Sequence, residues 1–215
     1  MHIPYIIETT PDGKERTFDL GSRLLEDRII VFDCEVTSQS ASIVIQELLL
    51  LNNKDNKKPI SLYLMTPGGE CDAGLAIINT INAIEAPVYT FAMGCVASMG
   101  FAILSAGEKG HRYALPSARI MCHQSSGGVD GNIQDARANF KAWEQLNQHL
   151  ADLIAKNCGM PVEEYLKAAE RDNYMWPEEA KKFGVIDAIH YGAIGGPVVP
   201  DPSTKTVAAV AKKKQ

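Results

Sequence analysis

The sequence predicts an α/β fold, and three observations carry that expectation. Short runs rich in β-branched and aromatic residues recur at 28–32, 59–65, 88–92 and 119–122, the composition of buried strands. Between them apolar residues return at helical spacing over 40–53, 73–84 and 98–105. Alternation of this kind joins parallel strands through helical crossovers and leaves a parallel sheet covered by helices. At 215 residues the chain supplies one such domain and is too short for two ordinary ones.

Taken in order, Arg28-Ile-Ile-Val-Phe32, the helix over 40–53 and Pro59-Ile-Ser-Leu-Tyr-Leu-Met65 make a βαβ unit. A helix over 73–84 and a strand over 88–92 extend it, and a helix from about 98 to 105 leads to the strand at 119–122. Over 132–157 the pattern is one long helix, with Phe140, Trp143, Leu146, Leu150, Leu153 and Ile154 on a recurring face, approached through Gly127-Gly-Val-Asp-Gly131. Such a helix either covers its own sheet or packs on another chain, and the pattern alone does not choose. Short helices follow over 161–170 and 177–183, separated by Arg171-Asp-Asn-Tyr-Met175. The tail over 195–215, with Pro197, Pro200, Pro202 and a terminal Lys-Lys-Lys-Gln, is predicted to be disordered.

Composition excludes several function classes. Hydrophobic residues make up 46% and charged residues 22%, as in a soluble globular protein with a full core. No apolar run reaches the ~20 residues of a membrane helix, and the first ten residues have no secretory pattern. A net charge of −5 argues against nucleic acid as the main partner. Five widely spaced cysteines with no Cys-x-x-Cys pair argue against a metal or disulfide framework and read as mostly buried free thiols of a reducing compartment. The cytoplasm is the expected location, and neither metal nor cofactor is expected.

Loops at the carboxyl ends of parallel strands are where sites form, and Pro67-Gly68-Gly69, the run from Gly94 to Ser98, and His123 all fall there. A serine hydroxyl needs a base to take its proton, a carboxylate to orient that base, and backbone N–H donors for the developing oxyanion. Ser98, where a strand exit turns into a helix, is the candidate nucleophile, and His123, ending Ile120-Met-Cys122, is the candidate base. His111, His149 and His190 read as surface residues. Asp172, between two short helices, is the candidate orienting carboxylate, and the N–H groups of Gly69 and Met99 can form an oxyanion hole. Alone, each has a plainer reading: Ser98 as a helix N-cap, His123 as a structural histidine, Asp172 as a cap or surface acid.

Together these residues resemble the proteolytic subunits of the Clp protease family. The resemblance runs from about residue 3 to 189, through Ile3-Pro-Tyr-Ile-Ile-Glu8, Pro67-Gly-Gly69, Ala97-Ser-Met-Gly100, Arg112-Tyr-Ala-Leu-Pro116, Met121-Cys-His-Gln124 and Arg171-Asp-Asn-Tyr-Met175. It implies a serine endopeptidase with a Ser98, His123, Asp172 triad, on the ClpP/crotonase-like repeated ββα spiral with a protruding handle helix. It also implies a single peptidase domain over 1–194, with axial pore loops in 1–20 and the handle in 124–158. Two stacked seven-membered rings would enclose the active sites and admit unfolded polypeptides fed by a hexameric AAA+ unfoldase. Gly68, Gly127 and Gly128 would offer backbone hydrogen bonds to an extended substrate, Glu170 and Arg171 would pair between rings, and Tyr63 would contact the unfoldase. The chain departs from the family pattern where His123-Gln-Ser-Ser126 replaces His-Gln-Pro, which loosens the backbone after His123 because proline fixes φ. It departs again at Ala83, where an aromatic is frequent, and at Thr66, Cys71 and Trp176.

Two other readings bear on the same residues. A catalytically silent or partner-activated ring subunit would have the fold without a working triad, and retention of Ser98, His123 and Asp172 speaks against it. An acyl-CoA enzyme on the same fold would need the two N–H donors but no serine nucleophile.

Overall fold

The chain opens, in the computed structural model that describes residues 4–9 and 11–192, with an antiparallel hairpin of β1 (Tyr5–Thr9) and β2 (Glu15–Asp19). Helix α1 (Leu20–Glu26) starts where the Asp19 carboxylate accepts from the Ser22 N–H at 2.8 Å, an N-cap that the alternation of apolar residues does not reveal. The main sheet follows with β3 (Ile29–Phe32), helix α2 (Ser38–Lys54), β4 (Ile60–Leu64), helix α3 (Cys71–Ala83) and β5 (Val88–Ala92). Thr37 and Ser40 close a reciprocal capping box at the start of α2. Buried Ala41, Val44, Leu48 and Leu51 form the stripe of α2 that faces the core.

After β5 the chain leaves this sheet. Strand β6 (Cys95–Ala97) begins a second sheet, helix α4 (Met99–Ser105) crosses the core, and β7 (Arg112–Ala114) returns to the first sheet beside β5. Strand β8 (Arg119–Cys122) then pairs in parallel with β6, and β9 (Asn173–Met175) pairs antiparallel with β8. Strand β10 (Ala188–Ile189) completes a five-stranded parallel sheet in the order β10-β7-β5-β4-β3. The single parallel sheet expected from alternation is therefore two sheets. The strands at 95–97, 112–114 and 173–175 are too short to show a period, and their pairing rests on contacts distant in sequence.

Helix α5 (Ile133–Cys158) resolves its open alternative by halves. Its second half buries Leu150, Ala151, Ile154, Ala155 and Cys158 against this chain's own core, whereas Ile133 and Phe140 in the first half are 72% and 49% exposed. Helices α6 (Val162–Ala168) and α7 (Pro177–Phe183) lie near their expected positions. The tail over 195–215, residues 193–194 of the expected domain, and residues 1–3 and 10 of the expected pore segment lie outside the described residues. No helix among the described residues is long and apolar enough to cross a membrane.

Three expectations change. His190 is buried, because β10 pairs with β7 and carries it beneath Phe91 and Tyr113. Tyr63 is 2% exposed and stacks on Phe91 at 4.5 Å in an aromatic row across β4, β5 and β7. Beside it, Val31 of β3, the register partner of Tyr63, and Met65, one residue past β4, are exposed. Of the cysteines, Cys122 and Cys158 are buried, Cys71 and Cys95 half-buried and Cys34 exposed, all of them free.

A buried ion pair closes the far end of the main sheet. Arg112, with a 2% exposed side chain, donates from Nε and Nη2 to both Asp187 carboxylate oxygens at 2.9 and 2.7 Å, and from Nη1 to the Asn157 carbonyl at 2.9 Å. Burial pushes the Asp187 carboxyl up, but hydrogen bonds from the Arg112 side chain and from the Arg112 and Gly110 N–H groups outweigh it and hold the acid below the usual carboxylate range. A depressed folded value means that this stabilisation is complete above the unfolded value of about 4 and is lost as pH falls through the lower folded value. Asp187→Asn strands a buried guanidinium and should lower stability by about 3 kcal/mol at pH 7. In denaturant melts the gap between parent and variant should narrow below about pH 4; a gap independent of pH would contradict the assignment.

Candidate active site

Ser98 stands at the entrance of a helix that has no solvent face. All seven residues of α4 are buried, so the helix is apolar all round and its position is set by packing. Ser98 occupies the N-cap position, yet its side chain makes no capping hydrogen bond. Its backbone, at φ 55° and ψ −120°, lies where non-glycine residues are rare, at a cost of roughly 1–3 kcal/mol. Surrounding bonds over-determine this turn: Ala97 N–H donates to the Thr66 carbonyl at 2.9 Å, Ser98 N–H to the Met121 carbonyl at 3.0 Å, and Phe101 N–H back to the Ser98 carbonyl at 2.9 Å. The result is a sharp strand-to-helix elbow that presents Oγ away from the backbone.

His123 leaves the end of β8, one strand away from β6, so register alone brings it beside the elbow. Its Nε2 is 2.9 Å from Ser98 Oγ, and its Nδ1 is 3.0 Å from Asp172 Oδ1. A carboxylate only accepts, so Nδ1–H donates to Asp172, and in the neutral ring Nε2 is then the acceptor for the Ser98 hydroxyl. Asp172 reaches this place because β9, which starts one residue later, pairs with β8, setting Asn173 opposite Cys122. The imidazole is 22% exposed and the Asp172 side chain 59% exposed. This chain of hydroxyl, imidazole and carboxylate can move a proton off Ser98 as the oxygen attacks a carbonyl.

The glycine turn lies against the elbow. A Cβ on Gly68 would stand 2.6 Å from Ser98 Cβ and 2.9 Å from the Met99 nitrogen, and one on Gly69 would stand 2.2 Å from the Val36 carbonyl oxygen. Only glycine permits such approach, and both residues have positive φ, 94° and 147°. The turn is pinned by Val36 N–H donating to the Gly68 carbonyl and Glu70 N–H to the Val36 carbonyl, each at 2.8 Å. Met99 N–H heads the first turn of α4, where a helix offers no acceptor of its own.

A mostly apolar cleft opens beside Ser98, walled by Met99, Ala102, Leu150, Ile154, Tyr165 and Leu166. Cys71 also lines it, but burial, and then the Asp72 carboxylate, push its thiol up. Burial likewise pushes the Cys122 thiol up to about 11. Both are protonated at neutral pH, which leaves Ser98 as the hydroxyl or thiol in the cleft with a base in contact.

The remaining expected residues are more dispersed. Gly127 lies beside Trp143 of α5, and Gly128 is open on its Cβ side. Glu170 and Arg171 are exposed, next to Asp172, and neither side chain makes an ion pair within the chain among the described residues. Ser125, expected to loosen the chain after His123, is instead held by Asn147 and Trp143. Neither Asn147 nor this anchoring was legible, because an asparagine on an amphipathic helix carries no signal of what it will meet.

Comparison with known proteins identifies the family. A family model described as Clp protease matches residues 12–192. A Deinococcus radiodurans protein named ATP-dependent Clp protease proteolytic subunit is 46% identical over 187 residues, covering 87% of this chain and 91% of its own. Proteins named ATP-dependent Clp protease proteolytic subunit 2 from Chlamydia abortus and Chlamydia pneumoniae are each 43% identical over 187 residues, covering 87% of this chain and 91% and 92% of their own. With its α/β fold, a serine in contact with a histidine, and a match spanning nearly all described residues, the chain belongs to the Clp protease family of serine peptidases.

Proposed function

We propose that Ser98, His123 and Asp172 hydrolyse peptide bonds of unfolded polypeptides, inside a chamber built from two stacked seven-membered rings and supplied by an ATP-driven unfoldase. The observation that carries the chemistry is the unbroken contact from Ser98 Oγ through His123 to Asp172, at 2.9 and 3.0 Å. Ser98 Oγ adds to the scissile carbonyl carbon while His123 Nε2 takes its proton, and Asp172 stabilises the imidazolium. The carbonyl oxygen, now negative, accepts from the Gly69 and Met99 N–H groups. His123 then protonates the leaving amine, and a water repeats the sequence on the acyl-enzyme. The apolar cleft accepts the side chain preceding the cut.

Among the described residues no backbone-to-backbone hydrogen bond engages 125–131, which supports pairing of an extended peptide with this segment at Gly127 and Gly128, with Gly68 bordering the site. The exposed first half of α5 supports its role as the handle between rings, and the exposed Glu170 and Arg171, which make no ion pair among the described residues, support an ion pair to another subunit. The unfoldase contact then falls to the surface around Tyr63, at Val31 and Met65, rather than to the buried Tyr63 ring. A cytoplasmic location belongs to the same reading.

Purified protein should hydrolyse a short fluorogenic peptide and label with a fluorophosphonate, and both should vanish in Ser98→Ala on a particle of about fourteen chains by light scattering. A particle of that size inert to both reagents would instead favour a silent or partner-activated subunit. Gly68→Ala should slow labelling and turnover on the order of 10²-fold by displacing the elbow from the oxyanion donors; unchanged kinetics would remove those donors from the mechanism. Arg171→Ala should lower both particle mass and rate, and the coupling of assembly to activity fails if neither changes.

A further inference from the structure

Two residues beyond His123 are anchored on different elements. Gln124 N–H donates to the Ala169 carbonyl at 2.8 Å and Gln124 Nε2 donates to the Glu170 carbonyl at 3.2 Å, both on the segment that leads to Asp172. Ser125 is fastened to the long helix: its N–H and its Oγ–H both donate to Asn147 Oδ1 at 3.0 Å, and its Oγ accepts from Trp143 Nε1–H at 2.8 Å. Asn147 and Trp143 stand four residues apart and so share one face of α5. Gln124, Ser125 and Asn147 also line the cleft that holds Ser98.

We infer that Asn147, acting through Ser125, is a positioning residue for His123. This rests on the triad reading above. Pairing of β8 with β9 fixes the chain as far as Cys122, opposite Asn173, and sheet pairing ends there. His123 is then held by its two side-chain bonds and by the backbone that follows. Residue 124 moves with the segment carrying Asp172, whereas residue 125 moves with α5. A shift of the helix is therefore transmitted to the imidazole across two peptide units. Asn147 suits the task because one carboxamide oxygen accepts two donors, and Ser125 spends both its N–H and its hydroxyl proton on that oxygen. An imidazole displaced by ~1 Å loses on the order of 10²-fold in rate.

The test compares variants on assembled particles of parental mass, below their melting temperatures. Asn147→Leu removes the acceptor at similar volume, and Trp143→Phe keeps the ring but not its N–H. Asn147→Leu should lower kcat and the fluorophosphonate labelling rate about tenfold or more while KM changes by about twofold at most. Trp143→Phe should have a smaller effect of the same kind. Ser125→Thr, which keeps the hydroxyl, should retain more of the rate than Ser125→Ala, and the Ser125→Ala, Asn147→Leu double variant should fall no further than Asn147→Leu alone. Unchanged kcat and labelling in Asn147→Leu, or a loss confined to KM or melting temperature, overturns the inference. If Asn147→Leu does not assemble, equal rates in Ser125→Ala and Ser125→Thr together with an unaffected Trp143→Phe overturn it. Ser98→Ala separates the two levels: activity or labelling there overturns the triad reading, whereas an inert Ser98→Ala beside a fully active Asn147→Leu overturns only the role of Asn147.

Discussion

Helix α4 is buried along all seven of its residues, so the strand that feeds it must arrive at one place and turn sharply to enter. That turn is Ser98, whose uncommon backbone is held by bonds to Thr66 on one side and Met121 on the other. The same packing demands glycine at 68, because nothing larger fits between the Pro67 turn and the elbow. Burial of one short helix thus determines where the elbow sits and what can lie beside it.

Separate sheets supply the other parts. The glycine turn leaves the five-stranded sheet, whereas Ser98 and His123 leave adjacent strands of the smaller one and Asp172 precedes its third. Both sheets pack into one continuous core, and the Arg112–Asp187 pair ties β7 to the turn before β10 and to the end of α5. A buried ion pair of this kind is weak as a net source of stability but costly to break, so it specifies one arrangement of these ends rather than adding to the hydrophobic total.

Electrostatics then bears on which side chain can be the proposed nucleophile. The Cys71 thiol lines the cleft and Cys122 is the chain neighbour of His123, yet burial keeps both protonated. Ser98 needs no lowered pKa of its own, because its proton has an acceptor at hydrogen-bond distance. Asp172 remains over half exposed in the isolated chain, beside Glu170 and Arg171, which places the least enclosed part of the site next to the charged surface proposed to meet another subunit.

The sequence by itself determined the long helices and long strands, since apolar spacing over 40–53, 73–84 and 132–157 reports directly on local geometry. It also held the candidate site: Ser98, His123, Gly69 and Met99 could be named from residue type and position after a strand, and Asp172 from its place between two short helices. The second sheet, the hairpin, the burial of His190 and Tyr63 and the anchoring of Ser125 by Asn147 were decided by tertiary structure alone. Each depends on which distant segments meet, and a three-residue strand, a lone histidine or an asparagine on a helix has no period that announces its partner. Replacement of proline at 125 looked like a loss of rigidity in one dimension, and only in three did the freed N–H and added hydroxyl find an acceptor on α5.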